Sequence, residues 1–271
     1  MGLRLLAALA ASLVGLASSS TPPVRYLQSH QNGDGGFAER GDRSDPTLTG
    51  WALLGLRAAG APTAKAREYL LAHESELESV QLGVLAEAAT GRASDELLAR
   101  LGALEKPSGA IGQTLNATAW GLLALAQAGR ALPRSSVRFL LRNQSRSGGW
   151  SWHPSGAPDS NDTAATIEAL RAAGVRGRSI RRGLAYLRRL QNHDGGFALT
   201  RGAPSDTQST AWAIQAFLAA GVRPAPAAYR FLARMRRADG SYRYTARYAV
   251  TPMWVTAQVL PALSGKAFPL R

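Results

Sequence analysis

The chain is 271 residues long, 45% hydrophobic, and carries a formal charge of +14 with no cysteine. The lack of cysteine excludes disulfides, thiolate metal sites, cysteine nucleophiles and thioester chemistry. The positive charge is almost all arginine, with lysine only at 65, 106 and 266; such an excess either favours anionic partners, a surface polymer or lipid head groups, or coats the outward faces of helices.

The first element is a targeting segment. A basic start (Met1 to Arg4), the twelve-residue apolar run Leu5 to Leu16 and the small residues after it have the layout of a secretory signal peptide over residues 1–17. That run falls short of the roughly 20 residues that span a bilayer, so cleavage is expected rather than retention as an anchor. The mature chain, 18–271, is then secreted, periplasmic or at the cell surface. Arg, Gly or Pro interrupts every later hydrophobic stretch, so no transmembrane span is expected after cleavage. No nucleic-acid motif is present, and nucleic acid is not expected as a partner.

Two signals alternate along the remainder. One is a turn, at Gln31 to Phe37, Gln144 to Trp150 and Gln191 to Phe197, with weaker copies at Ser108 to Ile111 and Ala238 to Tyr242. The other is a helical pattern of Thr, a small residue, Ile or Leu, another small residue and an apolar one. It begins at Thr49, Thr118, Thr163, Thr210 and Thr256, and a degraded copy runs from Val80 to Glu87. Later copies lie 38 to 47 residues apart, a period that suits one helical hairpin per repeat.

In chain order the helices are predicted as pairs over 24–30 with 47–60, 65–73 with 79–90, 95–104 with 116–129, 135–143 with 162–174, 179–190 with 208–221, and 226–236 with 252–264. Gly60, Gly91, Gly129, Gly174 and Gly221 fall where a left-handed residue closes a helix. The second helix of each pair is apolar or small nearly all round and should be buried, whereas first helices such as 179–190 carry Arg on one face. These features predict an all-α, α6/α6 toroid: an inner barrel of second helices and an outer ring of first helices around a central cavity. An open solenoid is the alternative.

The Gln-x-x-x-Gly-Gly-aromatic turns and Thr-Ala-x-x-Ile-x-Ala-Leu helices resemble the prenyltransferase and squalene oxidase repeats of the squalene-hopene cyclase, protein prenyltransferase and cobalamin-carrier superfamily. The resemblance spans nearly everything after the signal. It implies the toroid fold and an apolar or amphipathic ligand, isoprenoid-like or corrinoid-like, without choosing an activity. Asp159-Ser160-Asn161-Asp162-Thr163-Ala164 resembles the Asp-x-Asp-Asp-Thr-Ala motif whose central Asp protonates the substrate in squalene-hopene cyclases. Here that position is Asn161, and an amide is no acid for an alkene. The zinc of protein prenyltransferases needs a thiolate, and His30, His73, His153 and His193 have no ligand-like spacing, so neither metal nor cofactor is expected.

Position within the repeat separates scaffold from candidates. Asp45, Asp159 and Asp206 each precede a repeat Thr by four residues, which marks them as helix caps. Thr47, Asn116, Asn161 and Gln208 share one offset and should form a polar rim. Asp162, Trp152, His153 and Glu168 have no counterparts, and Asp162 with His153 is the candidate acid–base pair. Trp51, Trp120 and Trp212 share a station; with Trp152, Trp254, Tyr248, Asn161 and Glu168 they are expected to line an apolar pocket. Three readings stay open: an exported binding protein lacking standard cyclase activity, a divergent terpene cyclase or prenyltransferase-like enzyme using Asp162, and a non-catalytic scaffold on anionic surface polymers.

Overall fold

A computed structural model describes residues 21–39 and 41–270, and the expected signal segment lies outside the described residues. The first helices of the pairs are α1 (Pro22–Ser29), α3 (Ala64–Ala72), α5 (Asp95–Ala103), α7 (Arg134–Arg142), α9 (Arg178–Arg188) and α11 (Pro226–Met235). The second helices are α2 (Pro46–Ala58), α4 (Val80–Thr90), α6 (Leu115–Gln127), α8 (Ser160–Ala172), α10 (Thr207–Ala219) and α12 (Pro252–Leu263). A two-residue antiparallel pair, β1 (Phe197–Ala198) and β2 (Ser205–Asp206), sits ahead of α10.

The second helices are buried on nearly every side, as helices apolar all round must be. They pack in chain order, α2 on α4, α4 on α6, and so on, and α12 returns to α2. The outer helices lie over the seams: α3 touches α2 and α4, α7 touches α6 and α8, and α1 touches α12 and α2. Both layers close at the junction of first and last repeats, and glycine permits it. A Cβ on Gly55 of α2 would lie 2.6 Å from the Ala257 carbonyl oxygen of α12, so any side chain would push the seam open. Outside, Gly240 has a positive φ of 93° and a Cβ there would collide with the Pro22 carbonyl of α1.

The two sequence signals turn out to be halves of one clamp. In five repeats the amide of the residue ending the turn donates to the hydroxyl of the repeat Thr. These bonds run from Phe37 to Thr49 (2.8 Å), Ile111 to Thr118 (3.0 Å), Trp150 to Thr163 (2.9 Å), Phe197 to Thr210 (2.8 Å) and Tyr242 to Thr256 (3.0 Å). A buried amide left without an acceptor is costly, which explains why Thr recurs at that place. Phe37, Trp150 and Phe197 fill the space between layers and are fully or almost fully buried. The turn glutamines brace their own turns, Gln31 on the Gly35 carbonyl and Gln191 on that of Gly195. Arginines of the following outer helix hold the turns from outside: Arg142 binds the Ser108 carbonyl and Arg182 that of Ser145.

The structure differs from the sequence reading in detail. The inner helices α2, α8 and α10 start one or two residues earlier than predicted because Asp45, Asp159 and Asp206 cap them, each accepting an amide three residues on at 2.6 to 2.8 Å. Gly60, Gly129, Gly174 and Gly221 are left-handed as expected. Gly91 is extended instead (φ 168°), with the Arg67 side chain of α3 beside it.

Candidate functional site: the mouth and axis of the barrel

The N-terminal ends of the inner helices form one rim, and three rim loops cap the helix of the repeat before them. The Trp152 carbonyl accepts the free amide of Leu115 at the head of α6 (2.9 Å), the Leu199 carbonyl accepts Ser160 of α8 (2.9 Å), and the Tyr244 carbonyl accepts Thr207 of α10 (2.8 Å). At α12 the pattern closes with a side chain: the carboxylate of Glu39 accepts the amides of Met253 (3.2 Å) and Trp254 (3.1 Å), an anion where the helix dipole favours one. On the inner side of the rim, Asn116 donates to Asp162 (2.7 Å) and Gln208 donates to Gln258 (2.7 Å).

Asp162 is almost fully buried. Burial pushes its carboxyl up to about 8, reinforced by a hydrogen bond and charge from Asp159 and opposed by the Asn116 amide. It therefore holds a proton at neutral pH. Its partner is Asn116 rather than His153, which is exposed on the loop leading to α8 beside the equally exposed Trp152. Asn161 is half-buried and accepts a hydrogen bond from Ser160 at 3.2 Å. Tyr248 is exposed on the loop before α12, with the Arg247 guanidinium 5.3 Å from its ring.

The four tryptophans of the inner helices converge on the axis. Trp51 meets Trp120, Trp212 and Trp254 with ring centroids 5.4, 5.8 and 5.9 Å apart, and Trp120 meets Trp212 at 5.3 Å. Three of these contacts are edge-to-face and the Trp51–Trp254 pair is tilted, arrangements that are favourable at these distances and bring the rings together on the axis. The expectation of an open central cavity is corrected here: at the tryptophan level the axis is filled with indole. What remains open on the rim side is a pocket of about 240 Å³ lined by Gln208, Tyr244, Val250, Thr251, Trp254 and Val255.

Beyond the indoles the chain turns back on itself. After α12, residues 264–270 enter the far end of the barrel, where Phe268 packs on Trp120 (5.9 Å) and Trp212 (6.0 Å). The Phe268 amide donates to Glu168 Oε2 at 2.7 Å, and Leu270 exchanges two hydrogen bonds with the side-chain amide of Gln127. Glu168 is fully buried, which raises its carboxyl well above the usual range against the pull of that amide. Phe268, Gln127, Gln215, Gln258 and Glu39 escaped the sequence reading. Register could have found two of them, since Gln258 follows Thr256 by two residues, as the station tryptophans follow their threonines, and Gln215 follows Thr210 by five, as Glu168 follows Thr163. Phe268 belongs to no repeat and gave no signal.

Double-layered helical closure, aromatic clamps and an aromatic axis define a terpene cyclase- and prenyltransferase-like toroid. The chain belongs to the prenyltransferase alpha-alpha toroid domain family, whose model matches residues 41–243. Among solved structures it is similar to a variant of the type II terpene cyclase MstE from Scytonema in complex with geranylgeranyl dihydroxybenzoate (TM-score 0.68, 18% identity, 90% of this chain and 95% of that one). It is also similar to a protein from Actinoplanes (0.63, 19%, 90% and 97%) and to ent-copalyl diphosphate synthase from Streptomyces platensis (0.61, 21%, 92% and 55%). At such identities the likeness carries the fold. No curated protein sequence matches the chain.

Proposed function

We propose that the protein is an exported binding toroid that takes the end of an apolar, isoprenoid-like chain at the mouth of its barrel, against Trp254 and the indole cluster behind it, without cyclising it. The observation that carries this reading is the convergence of four indoles beneath an open mouth pocket, since aromatic faces with a few polar groups at the rim suit an apolar ligand with a polar end. MstE binds a geranylgeranyl-bearing substrate, which fits the same ligand class. A pocket of about 240 Å³ suits a chain end and is far too small for a corrin ring.

The chemistry argues against cyclisation. Alkene protonation needs a strong acid, yet Asn161 occupies the acid position of the motif, and a carboxyl held up at about 8 like Asp162 is a weak one. Export rests on the sequence of residues 1–17. The test is native mass spectrometry of protein purified from its own host, followed by lipid extraction. A retained isoprenoid supports binding; an empty protein that converts geranylgeranyl diphosphate or squalene to cyclic products reverses the reading in favour of an enzyme using Asp162.

A second reading concerns where the mouth faces. The exposed large apolar residues among the described ones, Trp152, Leu199, Tyr248 and Val250, all lie on rim loops, and exposed Arg201, Arg243 and Arg247 share two of those loops. Apolar side chains interleaved with arginine suit anionic lipid head groups, and a rim docked on a bilayer would take its ligand from there. Co-sedimentation with phosphatidylglycerol vesicles but not phosphatidylcholine vesicles, lost in a Trp152→Ser/Tyr248→Ser variant, is the expected outcome; equal behaviour on both vesicles removes this reading.

A further inference from the structure

The axis beyond the indoles contains polar capacity that the tail does not use. Glu168 Oε2 has the Phe268 amide, but Glu168 Oε1 is buried without a partner. Gln215 Oε1 is likewise buried and unpartnered, while its amide nitrogen reaches the Ala211 and Gln258 carbonyls. The two residues hold the same station on neighbouring helices, five residues after Thr163 and Thr210, and α8 packs on α10. Two side-chain oxygens, one on each helix, are thus buried with no donor. Buried acceptors are normally satisfied, and a fully buried carboxyl with no cation beside it, such as Glu168, keeps its proton.

The tail shows what kind of group fits. It presents a benzyl side chain to Trp120 and Trp212 and, one bond from the same Cα, a nitrogen to Glu168. An amine in the place of that nitrogen takes up the Glu168 proton and becomes an ammonium with three donors beside Glu168 Oε1 and Oε2, with Gln215 at the same station of the neighbouring helix as a further acceptor and indole faces at hand to stabilise positive charge. A pocket of about 270 Å³ between the ends of α4 and α6, lined by Gly91, Arg92, Leu98, Gln127, Gly129 and Arg130, opens beside the residue that ties down Leu270.

We propose that this far end of the axis is a second binding site, specific for a primary amine carrying an aromatic or compact apolar group, and that residues 266–270 occupy it as an intramolecular stand-in. The ligand sets Glu168 as its counter-ion, Gln215 as its remaining acceptor and Trp120 and Trp212 as its apolar walls, and it enters as the tail withdraws. This site is distinct from the mouth pocket and does not depend on the isoprenoid reading.

The test uses the full chain with Phe268→Ala, which empties the benzyl position, and two probes: 2-phenylethylamine, which carries the benzyl group and nitrogen of Phe268, and 2-phenylethanol as the neutral comparator. Binding is read at pH 7 by indole fluorescence and by the rise in Tm. The expected result is an amine affinity at least about tenfold above that of the alcohol, equivalent to ~1.4 kcal/mol, and loss of that preference in Phe268→Ala/Glu168→Gln. Gln127→Ala, which releases Leu270 without touching the axis, should show the same preference more weakly and serves if Phe268→Ala does not fold. Equal affinities for amine and alcohol in a folded variant, or an amine preference that survives Glu168→Gln, overturn the proposal. Failure of geranylgeraniol to bind at the mouth leaves these outcomes unaffected, so the two sites fail separately.

Discussion

The mouth and the far end of the barrel are built by different means. At the mouth every device recurs: an Asp cap, a Thr that clamps the turn, and a loop carbonyl from the next repeat over the heads of α6, α8 and α10. At the far end a single segment, residues 264–270, does the work once, through Phe268 on Glu168 and Leu270 on Gln127. Redundancy spreads load over repeats, whereas a unique plug concentrates it. The far end should therefore be the more fragile to single substitutions and the more open to displacement by a ligand.

The largest expected effect lies at that plug. Phe268 is buried against two indoles, so Phe268→Ala should lower unfolding stability by about 3 kcal/mol, within the range for truncating a buried aromatic. Urea denaturation checks this. A loss below about 1 kcal/mol would mean that the tail is only loosely seated. A smaller effect is expected at one clamp among five. Thr163→Val keeps the shape but strips the hydroxyl that accepts the Trp150 amide at 2.9 Å, leaving a buried donor unpaired at a cost of about 1–3 kcal/mol. If Thr163→Val cost more than Phe268→Ala, the contrast between shared and unique support would fail.

A third effect is confined to the pH dependence of stability. Asp162 titrates at about 8 in the folded chain against an ordinary 3.8, so between about pH 4 and pH 8 the folded state keeps a proton that the unfolded state has lost. Its contribution is complete below about pH 4 and declines as pH rises through 8. Asp162→Asn cannot titrate and should remove that decline, so the difference in denaturation midpoint, variant minus parent, should grow from pH 5 to pH 8. A constant difference would place the carboxyl in a far wetter site.

The same contrast decides what the sequence could reveal. Repetition made the hairpins, the aspartate caps and the tryptophan station legible, because a feature seen at Thr49, Thr118, Thr163, Thr210 and Thr256 can be read against itself. Even the weak turn at Ser108 to Ile111 forms the full clamp on Thr118. What repetition could not show was how far three indoles at one station and a fourth from α12 extend toward the axis. Their side-chain volume, not their periodicity, closes the middle of the barrel. Phe268 lay beyond the last repeat with no copy for comparison, and the pairing of Asp162 with Asn116 links helices 46 residues apart in sequence, which local pattern does not report. Asp162 was singled out for being unique; uniqueness marked a buried, proton-holding carboxyl and said nothing of its partner.

The central claim is that the indoles beneath the mouth receive an apolar chain, and a fluorescence titration of the full-length protein with geranylgeraniol tests it most directly. The account predicts a saturable, one-to-one change in tryptophan emission at micromolar ligand, weakened about tenfold by Trp254→Ala, the indole nearest the rim, with the fold intact by circular dichroism. Emission that changes without saturation, or saturates identically in Trp254→Ala, would contradict it.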